Sequence, residues 1–173
     1  MAGNSSSKGK KIRYTHGGIA IVYSAFHREI VEGLLAGARH ALFSHGTPTS
    51  LVYEVEVPGA FEIPLMVQRL AKTKRYGVII TLGAVVKGDT DHYDYVCKEC
   101  ADGIMRVSLD EHIPIVFEVL MALRPEDAIS RSHVPNGDEV FDWMENKGYV
   151  AGLNALELLY LYGTLKGDFL KKS

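Results

Sequence analysis

The chain has 173 residues, of which 47% are apolar and 23% are charged, and these proportions are typical of a single globular domain. The formal net charge of -2, the pI of about 6.4 and the lack of a long basic stripe argue against nucleic acid as a partner. No apolar run reaches the length of about 18 residues that a membrane span needs, and no secretory signal is recognisable, so we expect a cytoplasmic protein without a membrane partner.

The two ends of the chain differ in composition from the rest. Residues 1–16 begin with a polar run of small residues, and we expect them to form a disordered tail. Residues 17–173 show no internal repeat or linker, and we expect them to form one domain. The last stretch, "LKGDFLKKS", is expected to be a frayed end.

The first elements in chain order are predicted to be a strand, a helix and a strand. Residues 17–26 are almost continuously apolar, which is typical of a strand covered on both faces. Residues 27–46 have helical periodicity, and Gly33 and Gly37 on this helix indicate close packing against a neighbour. Residues 50–59 alternate between apolar and polar, as a strand does. The apolar stripe of the helix consists of Ile30, Val31, Leu34, Leu35, Ala38 and Leu42.

The rest of the chain continues the alternation of strand and helix. We expect a helix from about Pro64 to Arg75, a strand at 76–86, a helix at 94–112, a strand at 113–123, a short helix at 124–132, an irregular connection at 133–148 and a helix at 149–166. The apolar side of the helix at 94–112 is expected to include Val96, Ile104, Val107 and Leu109. This order predicts an α/β, flavodoxin-like, three-layer αβα sandwich with a four-stranded parallel sheet and helices on both faces.

The two cysteines, Cys97 and Cys100, form the pattern "CKEC" inside a predicted helix. A zinc site would need two further ligands, and a redox pair would lie in the first turn of a helix that directly follows a strand. We therefore interpret them as small residues on one face of the helix and expect no metal site.

The loops that follow the predicted strands carry residues suited to chemistry, and in parallel sheets these loops share one edge. Taken singly, each residue has an ordinary explanation: Phe26 could belong to the core, Glu62 could complement a helix dipole, and His92 could be a surface histidine. Taken together, they suit a site that stacks a planar ring, hydrogen-bonds a polyol, holds a phosphate and moves protons near neutral pH. The loop residues concerned are Phe26, His27, Gly59, Ala60, Phe61, Glu62, Lys87, Gly88, Asp89, Thr90, Asp91 and His92, with Phe117 and Arg131 from the last strand and the helix after it.

Two segments, "PGAFEIP" at 58–64 and "GAVVKGDTDHYDYV" at 83–96, together with "NKG" at 146–148, resemble the lumazine synthase family. The resemblance covers about residues 17–165. It implies a transferase of riboflavin biosynthesis that condenses 5-amino-6-(D-ribitylamino)uracil with 3,4-dihydroxy-2-butanone 4-phosphate and releases phosphate and water. It also implies a homo-oligomer that needs no metal and no organic cofactor.

The resemblance implies a role for each matching residue. His92 would be the catalytic acid and base, because an imidazole can both donate and accept a proton near neutral pH. Phe117 and Arg131 would come from a neighbouring subunit, Phe117 to close the ring pocket and Arg131 to bind the phosphate. The other implied substrate-binding residues are Phe26 for stacking, Ala60, Phe61 and Glu62 for the ribityl chain, Ala84, Val85 and Val86 for the pyrimidine edge, Asp89 and Thr90 for the phosphate, and Lys147 near the pyrimidine.

The chain departs from the family pattern at several positions. His27 stands where many members have asparagine, Asp89 places a carboxylate in the expected phosphate loop, Glu118 replaces a glycine and Met121 a threonine. The segment between Arg131 and Lys147 is about eight residues longer than is usual in the family. Because a longer segment would hinder contacts between pentamers, we expect a free pentamer and not a 60-subunit icosahedral shell.

Two other functions remain open from the sequence. One is a non-catalytic paralogue that binds a flavin or a lumazine, which the unusual residues on the fourth strand would allow. The other is a flavodoxin-like electron carrier. A turnover assay with both substrates would separate the first from the enzyme, and thiol titration with an absorbance spectrum would test the second.

Overall fold

A computed structural model describes residues 17–137 and 139–170, with side chains up to Leu165. The expected disordered tail at 1–16 therefore lies outside the described residues. The strands are β1 (Gly18–Ser24), β2 (Val52–Val57), β3 (Tyr76–Val86) and β4 (Ile115–Ala122). The helices are α1 (Arg28–Ser44), α2 (Ile63–Lys72), α3 (His92–Glu111), α4 (Pro125–Ser132) and α5 (Lys147–Leu170).

The four strands form one parallel sheet in the order β2-β1-β3-β4. Parallel pairing brings the carboxyl ends of all the strands to one edge; Ser24 pairs with Val57, for example, and Val86 with Ala122. The predicted α/β architecture with four parallel strands is thus confirmed.

Helices cover both faces of the sheet and produce two hydrophobic cores. One core lies between the sheet and α1, α4 and α5, and it buries all six residues of the predicted α1 stripe. The other lies between the sheet and α2 and α3. Strands β1 and β3 are buried on both faces, which explains why their sequences are almost continuously apolar.

Small residues let α1 approach α4 and α5 closely, as Gly33 and Gly37 predicted. A methyl group added at Gly33 would lie 2.1 Å from the carbonyl oxygen of Ser132, and one at Gly37 would lie 2.1 Å from Oδ1 of Asn146. On α5, a methyl group at Gly148 would lie 1.8 Å from the carbonyl oxygen of Leu34. The backbones could not approach this closely if these positions carried side chains.

The connecting segment, residues 133–146 without the undescribed Asp138, folds back over α1. His40 of α1 stacks on Trp143 with 4.1 Å between ring centroids and 14° between planes. Phe141 and Tyr149 pack against the same indole. The segment predicted to be irregular therefore contains a 3₁₀ turn, Trp143–Glu145, and an aromatic cluster.

Asn146 fixes the end of the connecting segment. Its side chain is fully buried, and its Nδ2 donates to the carbonyl oxygens of Gly33 at 3.1 Å and His133 at 2.8 Å. Its Oδ1 accepts from the backbone N–H of Tyr149 at 3.0 Å. One amide thus joins α1, the segment after α4 and the first turn of α5.

Several predicted boundaries are wrong. Residues 49–51 form a 3₁₀ turn, so β2 begins at Val52, and α2 ends at Lys72. Helix α5 begins at Lys147, and its backbone stays helical to Leu170, where a frayed end was expected. Among the described residues, no helix is long and apolar enough to cross a membrane.

Helix α3 also differs from its prediction. It begins at His92 instead of residue 94, so His92 belongs to the first helical turn and not to the loop. Leu109 was expected on the apolar side but is 65% exposed, because the outer face of α3 has no covering element in the described chain. Cys97 and Cys100 are buried and unpaired on the inner face, as interpreted from the sequence, and burial raises the pKa of Cys100 to about 12.

Candidate functional site

A cleft of about 540 Å³ lies above the carboxyl ends of β1, β2 and β3. Its floor is the end of β3, Ala84–Val86, and its walls are the segments that follow β1 and β2 and the first turns of α3. This is the edge at which parallel α/β sheets bind ligands. The residues that line it are Phe26, His27, Gly59, Ala60, Phe61, Glu62, Ala84, Val85, Val86, Gly88, Thr90, His92, Tyr93, Tyr95 and Val96.

The first wall carries an exposed aromatic ring beside an imidazole. Phe26 is 66% exposed, so it is not the core residue that its type alone would suggest. The ring of His27 meets it edge-on, with 4.8 Å between centroids and 79° between planes. An exposed phenyl ring at the mouth of a cleft offers a face on which a planar ligand can stack.

His27 has an unusual backbone at the start of α1. Its φ of 54° and ψ of 50° place it in the left-handed region, which asparagine and histidine enter more readily than most residues. Its carbonyl oxygen accepts from the N–H groups of Ile30 and Val31, so this conformation starts the helix. The shared backbone preference accounts for histidine at a position where asparagine was expected. Burial lowers the pKa of His27, which favours a neutral ring.

The second wall is a tight turn after β2. Residues 60–62 form a 3₁₀ turn that leads directly into α2, whose proline at the second position suits a helix start. The turn leaves the ring of Phe61 59% exposed and places the Glu62 carboxylate at the cleft. Ala60 is buried and supports the turn from below.

The third wall is the loop after β3 with the start of α3. The N-cap residue of α3 is Asp91, whose side chain makes no capping hydrogen bond, so N–H groups at the start of α3 remain available to a ligand. Gly88 and Thr90 line the cleft, and His92 presents an exposed imidazole from the first helical position. Asp89, which was predicted to help hold a phosphate, is exposed and does not line the cleft.

Three cleft residues were not predicted from the sequence. Tyr93, Tyr95 and Val96 line the cleft from α3. Residues 95 and 96 lie three and four positions after His92, so helical spacing from His92 could have identified them.

Besides Asp89, three predicted residues lie outside the cleft of their own chain. Phe117 is on the edge strand β4, Arg131 is in the last turn of α4, and Lys147 is the first residue of α5. Phe117 and Arg131 were expected to serve a neighbouring subunit, and that expectation stays a prediction. The cleft itself is lined by no lysine or arginine among the residues described.

The two unusual residues of β4 have different surroundings. Glu118 lines a groove of about 320 Å³ between β4 and α5, where burial raises the pKa of its carboxyl to about 7 and the charge of Lys147 opposes the shift. Met121 is 37% exposed on the other face of the strand. Within the described residues, no group of three His, Cys, Asp or Glu side chains could hold a metal ion.

Comparison with known proteins supplies independent evidence. A sequence model of the family described as 6,7-dimethyl-8-ribityllumazine synthase matches residues 17–162. The 6,7-dimethyl-8-ribityllumazine synthase of Leuconostoc mesenteroides is 43% identical over 159 residues, which cover 92% of this chain and 97% of the relative. The protein of the same name from Coxiella burnetii is 42% identical over 127 residues, which cover 73% of this chain and 84% of the relative.

Proposed function

The chain belongs to the 6,7-dimethyl-8-ribityllumazine synthase family, and we propose that the cleft above β1, β2 and β3 is its active site. The chain is an enzyme of riboflavin biosynthesis. It condenses 5-amino-6-(D-ribitylamino)uracil with 3,4-dihydroxy-2-butanone 4-phosphate and releases phosphate and water. The observation that carries the assignment of the site is the convergence of Phe26, Glu62, Thr90 and His92, from the segments that follow three separate strands, on one cleft.

The pyrimidine substrate binds along the first two walls of the cleft. Phe26 stacks on the ring, and the backbone of Ala84, Val85 and Val86 hydrogen-bonds its edge. The turn at 60–62 holds the ribityl chain, with the Glu62 carboxylate accepting hydrogen bonds from hydroxyl groups. This arrangement is supported by an exposed phenyl ring, the end of β3 and a carboxylate that line the same cleft.

The phosphate-bearing substrate binds at the third wall. Backbone N–H groups of the loop and the hydroxyl of Thr90 bind the phosphate at the start of α3, where the helix dipole favours negative charge. Asp89 is exposed, so its side chain has room to stay in solvent and away from the anion. Holding the two substrates side by side contributes much of the rate.

His92 moves protons in two steps. Imine formation between the amine and the ketone needs a proton on the departing hydroxyl, which His92 donates. Loss of phosphate needs a proton to be removed from carbon, which the neutral imidazole accepts. No metal or organic cofactor enters this scheme.

The cation that neutralises the phosphate comes from a second chain. A leaving phosphate needs a cationic partner, and the described cleft is lined by no lysine or arginine of its own chain. Family membership implies a homo-oligomer, and we infer that Arg131, Phe117 and Lys147 of an adjoining subunit complete the site. The assembly is a pentamer of about 95 kDa, from chains of 19.1 kDa, because the long connecting segment hinders contacts between pentamers. A sedimenting particle in the megadalton range would contradict the pentamer.

The first experiment mixes both substrates with the protein and follows the fluorescent lumazine product. His92→Ala should lower kcat by about tenfold to a thousandfold. His45→Ala is the matched control, because it removes an exposed histidine at the far end of α1 and should keep the wild-type rate. Equal turnover of His92→Ala and wild type from pH 6 to pH 8 would refute the role of His92.

The second experiment tests whether two chains share one site. His92→Ala and Arg131→Ala proteins are unfolded, mixed in equal amounts and refolded together. If each site takes His92 from one chain and Arg131 from its neighbour, about a quarter of the sites in the mixture regain both groups. Activity no higher than the mean of the two separate variants would show that both groups act within one chain.

A further inference from the structure

The loop between β3 and α3, residues 88–91, is held by few contacts of its own. A methyl group added at Gly88 would meet nothing within 4 Å. Within the described chain, the one hydrogen bond of this loop joins it to α3: the N–H of Asp94 donates to the carbonyl oxygen of Asp91. A loop of this kind needs an outside tether if its N–H groups are to keep one arrangement.

Lys87 bridges the two ends of this loop. Its backbone N–H donates to the carbonyl oxygen of Ala122 at 3.0 Å, which ties the residue to the end of β4. Its Nζ lies 3.5 Å from Oδ2 of Asp94 and 5.4 Å from the centroid of the Tyr93 ring. One side chain therefore joins the last residues of the sheet to the first turn of α3, which carries His92.

The two partners of the Lys87 ammonium group, the Tyr93 ring and the Asp94 carboxylate, both belong to α3. Burial and the neighbouring side chain of Cys97, one turn further along α3, raise the pKa of the Tyr93 hydroxyl. Cys97 is buried on the inner face of the helix. The ring under the lysine thus belongs to the first turn of a helix whose inner face is buried against the sheet.

We propose that Lys87 is a positioning residue, whose ammonium group, held by the Asp94 carboxylate and the Tyr93 ring, keeps the loop at 88–91 in the arrangement that binds the phosphate of the substrate. This inference rests on the proposed function, since it takes the loop as the phosphate site. Lys87 is not among the residues that line the cleft, so it acts through the loop and not on the substrate. An exposed ion pair and a cation–π contact together are worth about three- to tenfold in an equilibrium constant.

The experiment measures KM for each substrate and the inhibition constant of inorganic phosphate in four variants. Lys87→Met removes the charge and keeps most of the side-chain length. It should raise the KM for the phosphate-bearing substrate and the inhibition constant of phosphate about three- to tenfold, while the KM for the pyrimidine changes less than about twofold. Lys87→Arg, which keeps a cation able to reach the same carboxylate and ring, should restore both values.

Asp94→Asn separates positioning from direct binding. If Lys87 positions the loop, loss of the Asp94 charge weakens phosphate binding in the same direction as Lys87→Met. If Lys87 contacts the phosphate directly, the same change frees its ammonium group and strengthens phosphate binding. Tighter phosphate binding by Asp94→Asn, or unchanged phosphate inhibition in Lys87→Met, would overturn the proposal.

Lys98→Met is the matched control. It removes an exposed lysine from the same helix, paired with Glu99 and Asp102, and should leave all three constants unchanged. If Lys98→Met and Lys87→Met change the constants equally, the effect comes from the loss of any positive charge on this side of the protein, and the proposal is wrong. Failure of the proposed function would show differently, as a wild-type protein that makes no product or that phosphate does not inhibit.

Discussion

Replacement of Glu118 by glutamine should stabilise the protein, and only at neutral to alkaline pH. Glu118 is half-buried in the groove between β4 and α5, and its burial raises the pKa from 4.5 to about 7, against the opposing charge of Lys147. The folded protein therefore favours the neutral carboxyl. Glutamine has nearly the same shape as that neutral form and does not ionise.

The direction and size of the effect follow from proton linkage. Because the pKa is raised on folding, the stability associated with the neutral carboxyl is complete below about pH 4.5 and is lost as the pH rises through about 7. The difference between the two pKa values corresponds to about 3 kcal/mol. Solvent screening of a half-buried group reduces this to about 1–2 kcal/mol.

The assay is urea denaturation of wild type and Glu118→Gln at one protein concentration, at pH 5, 6.5 and 8. We expect Glu118→Gln to be more stable by about 1–2 kcal/mol at pH 8, by less at pH 6.5 and by little at pH 5. Glu157→Gln, which neutralises an exposed carboxyl in the same groove, should show no such trend with pH. The reasoning is wrong if the free energy of unfolding of Glu118→Gln differs from that of wild type by the same amount at all three pH values. It is also wrong if Glu118→Gln is less stable than wild type at pH 8.

Three further changes test the packing. Asn146→Ala leaves two buried carbonyl groups without their donor and should lower the free energy of unfolding by about 2–3 kcal/mol in a urea titration; a loss below about 0.5 kcal/mol would contradict its role. Gly148→Ala should lower the free energy of unfolding by at least about 3 kcal/mol or prevent folding. Gly88→Ala, which has free space around the added methyl group, should have a Tm within a few degrees of wild type. Similar Tm values for the two variants would argue against close packing of α1 and α5. Ser24→Ala removes a buried hydroxyl that has no hydrogen-bond partner within the described chain, so thermal unfolding should show no loss beyond about 0.5 kcal/mol, and a larger loss would reveal a missing partner.

The fold could be predicted because its strongest signals are local. The apolar runs of β1 and β3 and the stripe on α1 reflect burial that the structure also shows. The start of α3 was misplaced because polar turn residues precede it and Asp91 adopts a helical backbone without a side-chain cap. The prediction for Leu109 was wrong because periodicity identifies the apolar side of a helix but does not show whether another element covers it.

The candidate site was predictable for a different reason. The residues that follow β1, β2 and β3 share one edge of the sheet once the strands are parallel, so nine of the predicted residues line one cleft: Phe26, Ala60, Phe61, Glu62, Ala84, Val85, Val86, Thr90 and His92. Phe117, Arg131 and Lys147 do not line this cleft, and the place that we propose for them in the site of a neighbouring subunit depends on how the chains assemble, which is not encoded in local patterns. Tyr93 and Tyr95 were missed because the helix was predicted to start after His92.

The chain contains a single tryptophan, and Trp143 lies in the connecting segment, stacked on His40. Its fluorescence therefore reports on that segment alone, without background from any other indole. The stacked imidazole of His40 is the nearest ring to this indole, so the emission is sensitive to whether the two rings stay in contact. Detachment of the segment from α1 would separate the two rings and change the emission of the indole. The molecule thus carries an intrinsic optical probe of how the connecting segment lies on α1.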